Sequence, residues 1–279
     1  MPAVPSCILD PVRDQFLALL PPRAVDHPLG CHRPRVPDEV VFGKLIEVLV
    51  TGCGYERAAD ATCSATTIRR RRDEWIAAGI IEDLRLAALA AYDQMIGLNL
   101  TALPLDGCIT KAPGGGEATG PSPVDRAKQG IKRSTVTDAN GIPLGTVIAP
   151  ANVHDHALLD ATLATLAPFE PLDYRPVVHL DAGYDYQPCR DVLARHQLLA
   201  DIAHRGKQAP LQAGTRWVVE RTHAWLSAYG KLRRCTERRT TVIGFYLALA
   251  STLVTIRNLI SSAWTHYRWP TRPTTKRIR

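Results

Sequence analysis

The sequence predicts an α/β protein, in which a mixed sheet flanked by helices (residues 99–279) follows an all-α domain (residues 1–98). Up to residue 98 the apolar residues recur at helical spacing, as in "PDEVVFGKLIEVLV" from residue 37. Beyond it, short apolar runs bounded by turn residues alternate with helical patterns. Such alternation is typical of a sheet covered by helices.

The composition is that of a globular protein with an excess of positive charge. Hydrophobic residues make up 46% of the 279 residues, the net charge is +7 and the pI is about 9.2. Only seven of the 34 basic residues are lysine, and arginine is the side chain suited to bidentate contacts with phosphate and guanine. A polyanionic partner is therefore favoured, although many basic proteins bind no nucleic acid.

The cysteines and the apolar segments indicate a cytoplasmic protein without a membrane anchor. The seven cysteines form no CxxC pair, so neither a zinc site nor a disulfide framework is predicted. Prolines and Asp10 interrupt the apolar residues at the start, which argues against a signal peptide. The apolar stretch 242–256 is shorter than the roughly 20 residues that span a bilayer. It is predicted to be part of a buried helix.

The N-terminal helical patterns have the spacing of a helix-turn-helix. Ser64 is a good N-cap and Gly79 a good stop for the helix in "SATTIRRRRDEWIAAG". Such a helix enters the major groove of DNA by its N-terminal residues. The predicted DNA-binding residues here are Ser64, Thr66, Thr67, Arg69 and Arg70, with Arg71 and Arg72 suited to phosphate contact. The alternative is a small helical bundle with a solvated arginine face.

The elements of the second domain follow from apolar runs and turn residues. "TALPLDGCIT" is predicted to be a buried strand, and "IKRSTVTDANGIPLGTVIAPA" a hairpin turning at "DANG". The next predicted elements are a helix ("HALLDATLATLAPF"), a strand ("RPVVHLDAGYD"), a helix ("QPCRDVLARHQ"), a strand ("LLADIAHR"), a helix holding Glu220 and a last helix near 242–264.

Three acidic residues on separate predicted elements suggest a metal site. Asp106 lies inside an apolar strand, where an unpaired carboxylate is costly. Asp181 ends a second strand, a common place for functional sites, and Glu220 lies on a later helix. Carboxylate oxygens select Mg²⁺ or Mn²⁺, and two such ions support phosphodiester chemistry. Each acid taken alone is more often a cap or a salt-bridge partner.

Several uncommon phrases give the chain a resemblance to a known family. They are "PLDGC", "TGPSPVDRAKQGIKRSTVTDANGIPLG", "ANVHDHALL", "HLDAGYDY" and "RWVVERTHAWL…RRCTERR", between about residues 103 and 250. In this order they resemble the DDE transposases of bacterial insertion sequences, in particular the insertion-sequence-five family. The resemblance implies a ribonuclease H-like catalytic domain, a homodimer on double-stranded DNA and two Mg²⁺ (or Mn²⁺) ions. It also implies Asp106, Asp181 and Glu220 as catalytic and metal-binding residues, acting at terminal inverted repeats by strand cleavage and transfer.

Basic residues near these acids are predicted to bind DNA. The family motif around Glu220 implies a phosphate contact by Arg216, but Ala213 and Ser227 stand where the family has Tyr and Lys. Lys231 and Arg233, with Arg234, are predicted to substitute for the missing lysine. In the loop "SPVDRAKQGIKR", Arg126, Lys128 and Lys132 are predicted to follow a DNA strand, the alternative being an ordinary solvated loop.

Other interpretations remain open at the level of sequence. The histidines of "HDH" (154–156) are expected to serve a capping or loop role more than to bind metal. A DNA-binding regulator or a transposase relic without catalysis would use the helix-turn-helix alone. A ribonuclease H-like nuclease would cut DNA without strand transfer.

Overall fold

The computed structural model describes residues 4–22, 35–172, 175–204 and 217–267. Its N-terminal part consists of five helices: α1 (Ser6–Leu19), α2 (Asp38–Thr51), α3 (Tyr55–Ala58), α4 (Ala65–Ala77) and α5 (Ile80–Met95). As predicted, Ser64 caps α4, because its hydroxyl accepts a hydrogen bond from the Thr67 N–H at 3.2 Å. Gly79 follows α4 in the left-handed conformation (φ +72°) and lets the chain turn directly into α5.

The first helix is longer than predicted. The proline-rich start of the sequence suggested a helical pattern only near residues 12–20, whereas α1 begins at Ser6 and contains Pro11. Ile8, Val12 and Phe16 recur every four residues and are all buried. Their burial against the other helices outweighs the backbone hydrogen bond that proline cannot donate.

The second part of the chain contains a six-stranded mixed sheet. Its strands are β1 (Ala102–Lys111), β2 (Gly120–Pro121), β3 (Gln129–Thr137), β4 (Pro143–Pro150), β5 (Val177–Leu180) and β6 (Leu199–Ile202). The order is β2-β3-β1-β5-β6, and β4 also pairs with β3. Strand β3 is antiparallel to β1 and β4, whereas β1, β5 and β6 run parallel.

The predicted hairpin is formed by β3 and β4. Asp138 is fully buried at its turn and accepts hydrogen bonds from the backbone N–H groups of Asn140 (2.9 Å) and Ile142 (2.8 Å). Gly141 supplies the positive φ of +85° that this turn requires. The carboxylate also accepts a hydrogen bond from the Asn99 N–H at 3.1 Å, which ties the turn to the start of β1.

Five further helices flank the sheet, and the predicted fold class is confirmed. They are α6 (Asp155–Ala164), α7 (Gln187–Arg195), α8 (Trp217–Ser227), α9 (Gly230–Arg233) and α10 (Thr240–His266). Helix α10 is long and apolar enough to cross a membrane, but 72% of its most apolar window is buried inside the molecule. It is the buried helix that the sequence predicted.

Two main hydrophobic cores meet along α10. One core combines side chains of α1, α2 and α4 with α8 and most of α10, and the other lies between the sheet, α5, α6 and α7 and receives Leu259 of α10. The all-α region is therefore completed by the C-terminal helix of the chain. The boundary at residue 98 stays a prediction, because the apolar packing continues across it.

Candidate active site

The sheet places two of the predicted acids side by side. Strands β1 and β5 are parallel neighbours, with Pro104 opposite His179. Two residues further along, this register leads to Asp106 in the middle of β1 and to Asp181 immediately after β5. Each carboxylate accepts a hydrogen bond of 2.8 Å from a nearby backbone N–H, that of Gly107 for Asp106 and that of Gly183 for Asp181.

Helix α8 brings the third predicted acid to β1. His223 is buried on α8, and its Nε2 lies 3.3 Å from the backbone carbonyl oxygen of Asp106. Burial, followed by the positive charge of Arg133, lowers the pKa of His223 to about 4. The ring is therefore neutral near pH 7 and donates from Nε2 to the carbonyl. Glu220 is exposed one helical turn before His223, on the same side of the helix.

Three other acids are near enough to Asp106 to affect the pKa of its carboxylate. Burial raises the pKa of Asp106 to about 6 against the effect of the Gly107 N–H, and the negative charges of Asp181, Asp155 and Glu220 raise it further. These acids come from β1, the end of β5, the first turn of α6, and α8. In the described ranges, no group of three or more Asp, Glu, His or Cys side chains is arranged to hold a metal ion.

Asp155 belongs to this acidic cluster although the sequence interpretation did not select it. It begins α6, its Oδ2 accepts a hydrogen bond from Lys132 Nζ at 2.9 Å, and its Oδ1 is buried without a hydrogen-bond partner. The flanking His154 holds the N-cap position, without a side-chain capping bond. The sequence signal was the aspartate inside "HDH", but its nearness to Asp106 depends on how α6 packs against β3.

Tyr184 provides a buried hydroxyl next to the same cluster. Its ring is fully buried and its Oη has no partner of hydrogen-bonding geometry in the part of the chain described. Burial raises the pKa of Tyr184, and the charges of Asp155, Asp106 and Asp181 raise it further, whereas contact with Ser134 lowers it. The hydroxyl therefore faces negatively charged oxygens.

Two of the lysines predicted to bind DNA are paired inside the protein. Lys132 is 5% exposed and bonded to Asp155, and Lys231 is 3% exposed with its Nζ 2.7 Å from Glu237 Oε1. A buried ammonium that already has a carboxylate partner presents little charge to a phosphate outside. The positions of these two lysines therefore do not support the predicted DNA contacts.

Three other basic residues that were predicted to bind DNA are exposed. Arg126 and Lys128 lie in the loop before β3, where Arg126 has a positive φ of +50°, and Arg233 is exposed at the end of α9. Arg216 and Ala213 lie outside the described residues. Ser227, in the place of the family lysine, accepts a hydrogen bond of 2.9 Å from Nη2 of the buried Arg133.

The four consecutive arginines of α4 divide between the surface and the core. Arg70 is exposed, and the partly exposed Arg69 pairs with Glu56. Arg71 and Arg72 are buried, and Arg71 stacks over the Trp75 ring. The expectation that these two contact phosphate was wrong, because they hold α4 on the core instead. Of the remaining predicted DNA contacts, Ser64 and Thr66 are exposed and Thr67 is partly exposed.

Comparisons of the sequence with known proteins point to one family. A family model described as "Transposase DDE domain" matches residues 100–254. A Burkholderia cepacia protein named "Putative transposase for insertion sequence element IS402" is 40% identical over 142 residues, which cover 49% of this chain and 67% of the relative.

Two solved structures of the Mos1 transposase show a distant similarity to most of the chain. The paired-end complex with the left transposon end has a TM-score of 0.35 at 13% identity and covers 87% of this chain and 80% of its own. The mariner paired-end complex with Mn has a TM-score of 0.28 at 11% identity, with coverages of 86% and 82%. The family match spans more than half of the sequence, and the chain belongs to the DDE transposases of insertion sequences.

Proposed function

We propose that this transposase binds the terminal inverted repeats of an insertion sequence and that Asp106, Asp181 and Glu220 form the centre that cuts and joins DNA strands. One observation carries the proposal. Acids from three distant segments of the chain are brought to the partly buried Asp106: Asp181 by the register of β1 and β5, Asp155 by its place over Gly107, and Glu220 by the contact of α8 with the Asp106 backbone. So much like charge near one partly buried group is costly to the fold, and it is typical of a site built for a cation.

The donor atoms suit a divalent metal ion. Carboxylate oxygens are the ligands that Mg²⁺ and Mn²⁺ prefer, and the buried Oδ1 of Asp155 has no hydrogen-bond partner. Asp106, Asp181 and Glu220 would hold two such ions. When bound, the ions supply activation of a water or a 3′-hydroxyl and stabilisation of the leaving oxygen.

The contribution of the protein itself is to hold the acids in position. Gly107 and Gly183 fix the carboxylates of Asp106 and Asp181 through their N–H groups. The hydrogen bond from neutral His223 to the backbone carbonyl of Asp106 holds α8 against β1. Glu220, one helical turn before His223, is thereby kept near Asp106. Since the pKa of Asp106 is about 6, its carboxylate is ionised above neutral pH and ready to bind a cation.

DNA recognition is assigned to the exposed end of α4 and to two basic segments beside the acids. Ser64, Thr66, Thr67, Arg69 and Arg70 form the proposed base-reading end. Arg126 and Lys128 of the loop before β3, together with Arg233, are exposed and free to meet phosphates. Arg216 stays a predicted phosphate contact. A homodimer would bring two element ends together.

The test uses supercoiled DNA that carries the element ends, with Mg²⁺ or with EDTA. We expect the wild type to nick and join DNA only with metal. Asp106→Asn should still bind the ends in a gel-shift assay but lose at least about 10³-fold in nicking rate, since acids at such centres act as a unit.

The matched control is Asp191→Asn, the same change at an exposed aspartate of α7, which should behave as wild type. Equal nicking by Asp106→Asn and wild type would refute the active-centre assignment. Nicking without joined products would identify a nuclease, and end binding without any nicking by the wild type would identify a regulator.

A further inference from the structure

Asp155 is held against the backbone next to Asp106 by two separate contacts. Its Oδ2 bonds to Lys132, whose side chain is 7% exposed. Its Oδ1 lies so close over Gly107 that a Cβ atom on that residue would be 1.8 Å away. The hydroxyls of Thr162 on α6 and Ser134 on β3 lie 2.7 Å apart and fix the helix that carries Asp155.

The surroundings of Asp155 differ from those of an ordinary salt-bridge residue. Asp160, on the same helix, pairs with His196 and Arg195 at the surface. Asp155, in contrast, leaves one oxygen buried without a hydrogen bond, over Gly107 next to Asp106. The buried hydroxyl of Tyr184 also lies beside the cluster, with Ser134 as its neighbour. A buried carboxylate oxygen without a hydrogen bond is costly, which is a reason to look for a ligand.

We propose that Asp155 is a fourth carboxylate of the acidic centre, a positioning residue that increases the affinity of the centre for divalent cations. This rests on the proposed function of Asp106, Asp181 and Glu220. Lys132 holds one oxygen of Asp155, so the other stays over Gly107 and adds its negative charge to the field at Asp106. Gly107 is required because any side chain would displace that oxygen.

The experiment measures Mn²⁺ binding to the full-length protein without DNA, by calorimetric titration and by the electron paramagnetic resonance signal of free Mn²⁺. Asp155→Asn should bind Mn²⁺ about tenfold more weakly, because one negative charge is lost near the cation. Asp155→Glu should recover part of the affinity. Asp160→Asn, which removes an equal charge from the same helix, should bind as wild type.

Gly107→Ala tests the geometry without changing any charge. Its Cβ would occupy the place of Asp155 Oδ1, so we expect the same loss of affinity as in Asp155→Asn. Gly43→Ala, at a position where a Cβ meets nothing within 4 Å, is the matched control. If Asp155→Asn leaves Lys132 unpaired and fails to fold, the double variant Lys132→Met/Asp155→Asn removes both charges and should show the weak binding.

The outcomes separate this inference from the proposed function. Asp106→Asn should abolish Mn²⁺ binding, and if it does not, the active-centre assignment itself fails. If Asp106→Asn loses binding while Asp155→Asn and Gly107→Ala bind as wild type, only the role of Asp155 is refuted. An equal loss in Asp160→Asn would also refute it, because the effect would then be one of overall charge.

Discussion

His223 is the residue whose protonation should matter most for stability. It is buried against β1 beside the positive Arg133, and its pKa is lowered to about 4. Because the folded pKa lies below that of an unfolded histidine, near 6.5, the unfolded chain binds more protons between these values. Stability is therefore complete above about pH 6.5 and decreases as the pH falls towards 4.

We predict that wild type loses up to roughly 3 kcal/mol from this residue between pH 7 and pH 4. Urea unfolding of the wild type and of His223→Gln over this range measures the loss. Asp106, whose pKa is raised, stabilises the fold as the pH falls, but it is present in both proteins, so its contribution cancels in the difference between their free energies of unfolding. Parallel pH profiles for the two proteins would show that His223 is not kept neutral by the fold.

At the level of single residues, the sequence identified three candidate acids, but it missed a fourth acid and the pairing of nearby lysines. Asp106 and Asp181 stood out because a charge inside or at the end of an apolar run is unusual. Asp155 opens a helix, where an acid is ordinary, so nothing local distinguished it. The pairing of Lys132 and the burial of Lys231 likewise depend on strand and helix packing between distant segments.

Helix α4 carries an exposed and a buried arginine at neighbouring positions. Arg70 is exposed, and its contact with Glu74 is long, at 3.8 Å. Its neighbour Arg71 is fully buried, pairs with Asp38 and stacks on Trp75. The two residues carry the same charge on the same helix, so each serves as the control for the other.

We predict that Arg70→Ala changes the free energy of unfolding by less than about 0.5 kcal/mol but weakens DNA binding by roughly 1–3 kcal/mol and relaxes the base preference at one position of the ends. Arg71→Ala should cost roughly 2–4 kcal/mol of stability, because it removes one member of a buried charged contact and its packing. Urea unfolding and titrations with end DNA, intact or altered at single base pairs, measure both effects. A stable Arg71→Ala with weakened binding would place Arg71, not Arg70, on the DNA surface.

At the level of elements, periodicity and turn chemistry predicted most of the architecture. The Ser64 cap, the Gly79 stop and the "DANG" hairpin were confirmed because short-range hydrogen bonds determine them. The start of α1 was missed because burial overrode the usual effect of proline. All four arginines of "RRRR" were predicted to contact DNA, although successive helix positions are 100° apart and so divide between core and solvent.

For the whole molecule, a buried polar network joins the N-terminal helices to the chain after α8. Tyr55 of α3 donates to Glu237 at 3.0 Å and accepts from Tyr246 of α10 at 2.9 Å. Glu237 also pairs with Lys231. Alongside it, Gly52 and Gly230 bring two backbones so close that a Cβ on Gly230 would lie 2.5 Å from the Thr51 carbonyl carbon. The helices proposed to bind DNA are thus packed directly against the segment that follows α8 and against α10.

This packing predicts that the N-terminal region cannot fold as an independent domain. A fragment of residues 1–98 would lack the α8 and α10 side chains that share its core, such as Leu226, Phe245 and Leu249, and would expose their apolar partners to water. We expect its circular dichroism and amide proton dispersion to be those of a largely unfolded chain, whereas the full chain should unfold in one transition. Gly230→Ala should lower the stability of the full chain, with Gly244→Ala, where a Cβ has free space, as control. Cooperative unfolding of the isolated fragment would instead establish residue 98 as a true domain boundary. In that case the binding of element ends by the N-terminal helices could be connected to the acidic centre only through the bound DNA.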